Sequence, residues 1–216
     1  MSEPLIARYR AVIFDMDGLL LDTETLWHRA EIELFRRHGG EFTWKDKLAV
    51  IGTNFGFTAR YFAERLGRSA EEGEALVREM VEIMHGELRG EVAGRPGAVK
   101  LVERLRGRTR LGLASNSPRS LVDTALATAG LEGAFDAIVT SDDVEHAKPE
   151  PDLYLLACER LSVAPGEALA LEDSPSGIAA AKAAGLTCIA VPQFAETDVS
   201  AADRVIDSLE ELLAEA

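Results

Sequence analysis

Several things are scarce in this chain, and each scarcity excludes something. Only two cysteines occur in 216 residues, Cys158 and Cys188. They stand far apart in apolar surroundings, which predicts buried, reduced thiols. Basic residues are outnumbered, 23 Lys and Arg against 37 Asp and Glu, leaving a net charge of −14. That balance excludes nucleic acid as a partner, because a phosphate backbone needs a basic face. No apolar run approaches the roughly 20 residues of a spanning helix, so no membrane is expected. Met1 to Arg10 lacks an apolar stretch followed by a small-residue cleavage site, so the expected location is cytoplasmic. The four histidines, His28, His38, His85 and His146, have no metal-ligand spacing. There is no internal repeat and no low-complexity segment.

What is present falls into two kinds of text. Short apolar runs, too short for helices, are Ala11–Phe14, Leu111–Ala114, Ala137–Val139, Ala168–Leu171 and Thr187–Val191. Val205–Ile206 predicts a further short strand, and Ser208 with Glu211 predicts a capped last helix. Between the later runs lie helical periods over 98–106, 119–129, 152–161 and 178–184. Strands alternating with helices predict an α/β fold, a Rossmann-like parallel sheet covered on both faces. The stretch 23–91 breaks the rhythm and reads as four helices in succession, 23–37, 45–50, 58–66 and 70–88. The expected organisation is therefore a core domain of residues 1–20 and 93–216, with a helical cap of residues 21–92 inserted after the first strand. The cluster Gly94-Arg95-Pro96-Gly97 reads as the return hinge.

Chemistry concentrates at strand ends. The first strand ends in Phe14-Asp15-Met16-Asp17-Gly18, and ligands of open parallel sheets bind at the carboxyl ends of strands. Asp15 and Asp17 are two apart and lean to one side of extended backbone. Two carboxylates there suit an oxygen-loving divalent cation, and a carboxylate can attack a phosphoryl group. Taken alone, the pair also fits a turn. Two further strand ends carry Ser115-Asn116-Ser117-Pro118 and Glu172-Asp173-Ser174-Pro175. Serine followed by proline predicts a helix start, with serine as cap. Ser115 and Asn116 would then face an anion at a helix N-terminus. Glu172 and Asp173 would complete an oxygen cage for a metal. Lys148, before Pro149, could neutralise charge on a transferring phosphoryl group.

In this order the segments resemble the haloacid dehalogenase (HAD) superfamily, in its β-phosphoglucomutase-like branch with a helical cap. The resemblance rests on Asp15-Met16-Asp17-Gly18, Ser115-Asn116, Lys148-Pro149 and Glu172-Asp173-Ser174-x-x-Gly177, and it spans nearly the whole chain. It implies an HAD-like core and a phosphatase of small phosphate esters, sugar phosphates among them. It implies Mg²⁺ as cofactor and an aspartyl-phosphate on Asp15. It implies Asp17 as acid and then base, with its backbone carbonyl on the metal. It further implies Ser115, Asn116 and Lys148 around the phosphoryl oxygens, and Asp15, Glu172 and Asp173 around the metal. Leu19 to Leu21 match the flap that leads into the cap.

Asp17 speaks for phosphoryl transfer over dehalogenation, since a halide leaving group needs no proton. A sugar phosphomutase is the alternative, but mutases of this branch carry an arginine after a cap glycine. Here the stretch is Gly52-Thr53-Asn54-Phe55-Gly56-Phe57, and Arg60 comes a turn later. A phosphoacceptor module is the more distant alternative. Trp27, Asn54, Phe55 and Phe57 are the candidate specificity residues, and His146 stands near Lys148. The expected partner is a small-molecule phosphate ester, and the expected state a monomer.

Overall fold

The computed structural model describes residues 5–215. Six strands form one parallel sheet: β1 (Ala11–Phe14), β2 (Arg110–Ala114), β3 (Ala137–Val139), β4 (Ala168–Glu172), β5 (Thr187–Ala190) and β6 (Arg204–Val205), in the order β3-β2-β1-β4-β5-β6. The chain builds outwards from β1 to one side through β2 and β3, then to the other through β4, β5 and β6. The crevice between β1 and β4, where that direction reverses, is where such sheets bind ligands.

The strands looked uniformly apolar in sequence, but their residues alternate in size. Val12, Phe14, Leu111, Leu113, Leu169, Leu171 and Ile189 share one face. Ala11, Ile13, Ala168, Ala170 and Cys188 share the other. Small side chains on the second face let α7 (Asp152–Leu161) and α8 (Pro175–Ala183) approach closely. The larger face is covered by α5 (Ala98–Leu105) and α6 (Arg119–Thr128). Both cysteines are buried and unpaired, and burial pushes their thiols up to about 11 for Cys158 and about 12 for Cys188.

Four helices stand between β1 and α5: α1 (Glu24–Arg37), α2 (Trp44–Val50), α3 (Phe55–Leu66) and α4 (Ala70–Glu87). Thr43 and Asp46 form a capping box at α2, and Ser69 and Glu72 form one at α4. The two chain crossings run side by side. Leu21 bridges Gly94 antiparallel, Asp22 N–H donates to Ala93 at 2.9 Å, and Arg95 N–H donates to Leu20 at 3.0 Å. Leu19, Leu20 and Leu21 are buried in the core beneath these helices. Among the described residues no helix is long and apolar enough to cross a membrane.

Three local expectations are corrected. The last strand is Arg204–Val205, because Arg204 and Val205 pair with Ile189 and Ala190. The last helix is a 3-10 helix, Leu209–Ala214. Ser208 Oγ accepts from Glu210 N–H, while Glu211 accepts from Asp207 N–H, so the cap is out of step with an α-helical box. Serine caps α8 as expected, Ser174 Oγ accepting from Gly177 N–H at 3.2 Å. At α6, however, Pro118 is the cap residue, and Arg119 N–H finds Asp142 instead.

Candidate active site

The carboxyl ends of β1 and β4 bring Asp15 and Glu172 together. Asp15 N–H donates to Leu171 at 2.9 Å, so the ladder carries Asp15 one residue past the strand. Lys148 reaches in from the loop before α7 and is almost wholly buried. Its ammonium donates to Asp15 Oδ1 at 2.6 Å, Glu172 Oε1 at 2.6 Å and Ala114 O at 2.8 Å. Asn116 fixes that loop. Its Oδ1 accepts from Lys148 N–H at 2.9 Å and its Nδ2 donates to Lys148 O at 3.2 Å, and the Lys148–Pro149 peptide is cis.

Glu172 is fully engaged. Besides Lys148, its Oε1 accepts from Tyr154 OH at 2.6 Å, and its Oε2 accepts from Asp173 N–H at 3.1 Å and Ser174 Oγ at 3.3 Å. Gly177 stands against it because nothing larger fits, a Cβ there meeting the Glu172 carboxylate at 2.0 Å. The Asp173 carboxylate is different. It is buried, and no described residue donates to it. Carboxylate atoms of Asp15, Glu172 and Asp173 lie within 4.8 Å of one another.

Burial lifts the carboxyl of Asp15 well above the usual range, against the pull of Lys148. Burial does the same to Asp173, reinforced by Asp15 and Glu172. For Lys148, burial works against the charge, but Asp15 and Glu172 outweigh it and raise the ammonium above its ordinary value. Three buried carboxylates thus stand around one ammonium, which pairs with only two of them, Asp15 and Glu172. Excess negative charge, and a buried carboxylate without a donor, fit a hard divalent cation with oxygen ligands.

The Asp17 side chain is turned away from this triad. Its Oδ1 accepts from Thr23 Oγ1 at 2.6 Å and Trp27 Nε1 at 2.9 Å. Its Oδ2 accepts from Ser117 Oγ at 2.8 Å and Ser115 Oγ at 3.2 Å. Ser115, expected at the phosphoryl oxygens, is thus spent on Asp17 and lies beneath the cavity wall. Ser117, expected as a helix cap, reaches the cavity in its place.

A cavity opens over Asp15, Asp17, Asn116, Lys148 and Asp173. The helices above complete it with Trp27 and Phe55, whose rings meet edge to face at 6.0 Å, and with Glu24, Glu31 and Lys47. Asn54 caps α3 and donates to Lys148 O at 3.4 Å, so it lies at the seam between helices and sheet. Phe57 is exposed and stacked on Tyr61, outside the cavity. His146 is also exposed, beside Asp152.

Sequence reasoning missed Ser117, Thr23, Tyr154, Glu24, Glu31 and Lys47. One signal was available for the two glutamates. Glu24, Trp27, Glu31 and Leu34 fall on one helical face, so the glutamates sit inside the buried stripe of α1.

Residues 9–185 match the haloacid dehalogenase-like hydrolases. The chain belongs to this family. The fructose-1-phosphate phosphatase YqaB of Escherichia coli is 34% identical over 184 residues, covering 85% of this chain and 97% of the relative. The validoxylamine A 7'-phosphate phosphatase of Streptomyces hygroscopicus is 33% identical, covering 94% and 96%. Among solved HAD-like structures, CbbY from Rhodobacter sphaeroides in complex with phosphate superposes with a TM-score of 0.84 at 32% identity, covering 96% of this chain and 98% of that one.

Proposed function

We propose that this hydrolase cleaves small phosphomonoesters, sugar phosphates among them, through an aspartyl-phosphate on Asp15. The observation that carries the reading is the pairing of two unlike aspartates at one strand end. Asp15 is held by Lys148 and faces the cavity, whereas Asp17 is held by four donors beside it. Asp15 Oδ attacks phosphorus, the ester P–O bond breaks, and Asp17 gives the leaving oxygen its proton. Water then attacks phosphorus, returns a proton to Asp17, and the bond to Asp15 breaks. Lys148 offsets charge on the phosphoryl oxygens. The N–H groups of Asp17 and Asn116, which donate to no described residue, are available to those oxygens.

Mg²⁺ would be held by Asp15, Asp173 and the Asp17 carbonyl, with Glu172 behind them, and would supply positive charge against the phosphoryl oxygens. Residues 21–92 would act as the cap. A phosphomutase needs a cation for a second phosphate, and Arg60 is exposed and away from the cavity. The decisive experiment is turnover of p-nitrophenyl phosphate with Mg²⁺. Asp15→Asn is expected to abolish it while inorganic phosphate still binds, and excess chelator to silence the wild type. Substantial turnover by the variant would reject the nucleophile, and turnover in chelator would reject the metal.

A further inference from the structure

The cavity is also lined by charge that the proposed reaction does not use. Lys47, from α2, is almost wholly buried, and its ammonium lies 2.6 Å from Glu24 Oε2 and 3.3 Å from Glu31 Oε2, both on α1. All three side chains line the same cavity as Asp15 and Asp17. Glu24 directly follows Thr23, whose hydroxyl donates to Asp17, so the cluster begins one residue from the acid/base network.

Burying three charged groups on a helical insertion is costly unless they have partners, and here the partners are incomplete. Four buried side-chain polar atoms lack a well-aligned hydrogen bond among the described residues. Three of them, Glu24 Oε2, Glu31 Oε2 and His28 Nδ1, stand in this cluster, where Lys47 pairs with both glutamates and His28 Nδ1 lies 3.7 Å from Glu31 Oε2. Glu24 Oε1 also accepts from no described residue, although Glu24 is only 5% exposed. Two carboxylates thus share one ammonium, and Glu24 Oε1 is left with room for a donor from a molecule bound in the cavity.

We propose that Glu24, Glu31 and Lys47 form a polyol subsite that receives the neutral, hydroxylated tail of a phosphate monoester. This rests on the hydrolase reading above and names its substrate class. Hydroxyl groups satisfy the cluster: O–H donates to the carboxylates, and the hydroxyl oxygen accepts from the ammonium. An anionic tail does not. The cluster has two negative charges against one positive, and Lys47 is already shared between the two glutamates. A second phosphate or a carboxylate would meet repulsion there, in a cavity that already holds Asp15, Asp17 and Asp173. Trp27 and Phe55 line the same cavity and offer apolar surface to the C–H groups of a sugar.

The test is kcat/KM with Mg²⁺ for sorbitol 6-phosphate, fructose 1-phosphate, 2-phosphoglycolate and fructose 1,6-bisphosphate, in the wild type and in Glu24→Gln. The wild type is expected to favour the two neutral-tailed monophosphates over both anionic-tailed esters by at least about ten-fold. Loss of one charged hydrogen-bond acceptor in Glu24→Gln should lower kcat/KM for the monophosphates by about ten-fold to a hundred-fold. Turnover of the bisphosphate should fall less, so the preference ratio should collapse. A bisphosphate or phosphoglycolate preferred by the wild type would overturn the proposal, and so would an unchanged ratio in a folded variant. The wild-type ranking decides the matter if the variant does not fold. Turnover of p-nitrophenyl phosphate separates the two readings. If that ester is hydrolysed and the ranking is reversed, the subsite fails alone; if it is not hydrolysed, the hydrolase reading fails first.

Discussion

Replacing Lys148 with methionine keeps most of the apolar stem and removes the ammonium that Asp15 and Glu172 share. Both contacts are 2.6 Å, and both carboxylates are buried. Removing one partner from a buried ion pair costs about 3–5 kcal/mol, because the remaining charge is left without compensation. For a chain of this size each kcal/mol is worth about 2–4 °C, so the melting temperature at pH 7 should fall by about 6–20 °C. The pH dependence has a definite sign. Asp15 is held above its unfolded value even with Lys148 present. A carboxyl raised in the folded state favours folding at low pH and costs stability as pH rises through the folded pKa. Lys148→Met raises Asp15 further, so the loss should be large at pH 7 and clearly smaller at pH 5. The assay is urea unfolding of both proteins in chelator at the two pH values. Adding Mg²⁺ at pH 7 should then stabilise the folded state by mass action. A loss below about 1 kcal/mol at pH 7, or an equal loss at pH 5, would refute the charge balance drawn from this site.

Three further outcomes are expected. Trp27→Phe removes the indole N–H from Asp17 and should lower kcat for p-nitrophenyl phosphate about ten-fold with KM little changed; a change confined to KM would place Trp27 in binding alone. Asp46, which accepts from Thr43, Tyr61 and Arg65, is held below the usual carboxylate range by those bonds against the cost of its burial. Its contribution should be complete above about pH 4 and be lost as pH falls further, so Asp46→Ala should cost about 1–3 kcal/mol in urea at pH 7 and little in acid. Gly177→Ala forces a methyl into the Glu172 carboxylate and should cost about 1–3 kcal/mol, with a fall in kcat as Glu172 moves off Lys148; a melting temperature equal to wild type would show that Glu172 has room to give.

Much of this was legible beforehand, and for local reasons. Strand length, helical period and the Ser174-Pro175 start are set by neighbouring residues, so β1 to β5 and the four inserted helices fall close to where their patterns place them. The ordered polar strand ends pointed to one site because parallel strands in one sheet deliver their carboxyl ends to the same edge. The failures are cases where a distant residue outbid the local preference. Ser117 has the sequence of a helix cap, but its hydroxyl reaches Asp17, a hundred residues earlier in the chain. Phe57 has the apolar character of a pocket residue, but the start of α3 turns it onto Tyr61 and presents Phe55 instead.

The two aspartates show the division most clearly. Sequence by itself determined that Asp15 and Asp17 stand together at the end of β1, since a two-residue spacing is local geometry. Only the tertiary structure decided that they differ. Lys148, Glu172 and Asp173 close around Asp15, while Thr23, Trp27, Ser115 and Ser117 take Asp17. Likewise the sequence contained Glu24, Glu31 and Lys47 as ordinary charges on two helices. Folding removed them from water and brought them to the same cavity, because hydrogen bonds and charges act through distances that the order of residues does not contain.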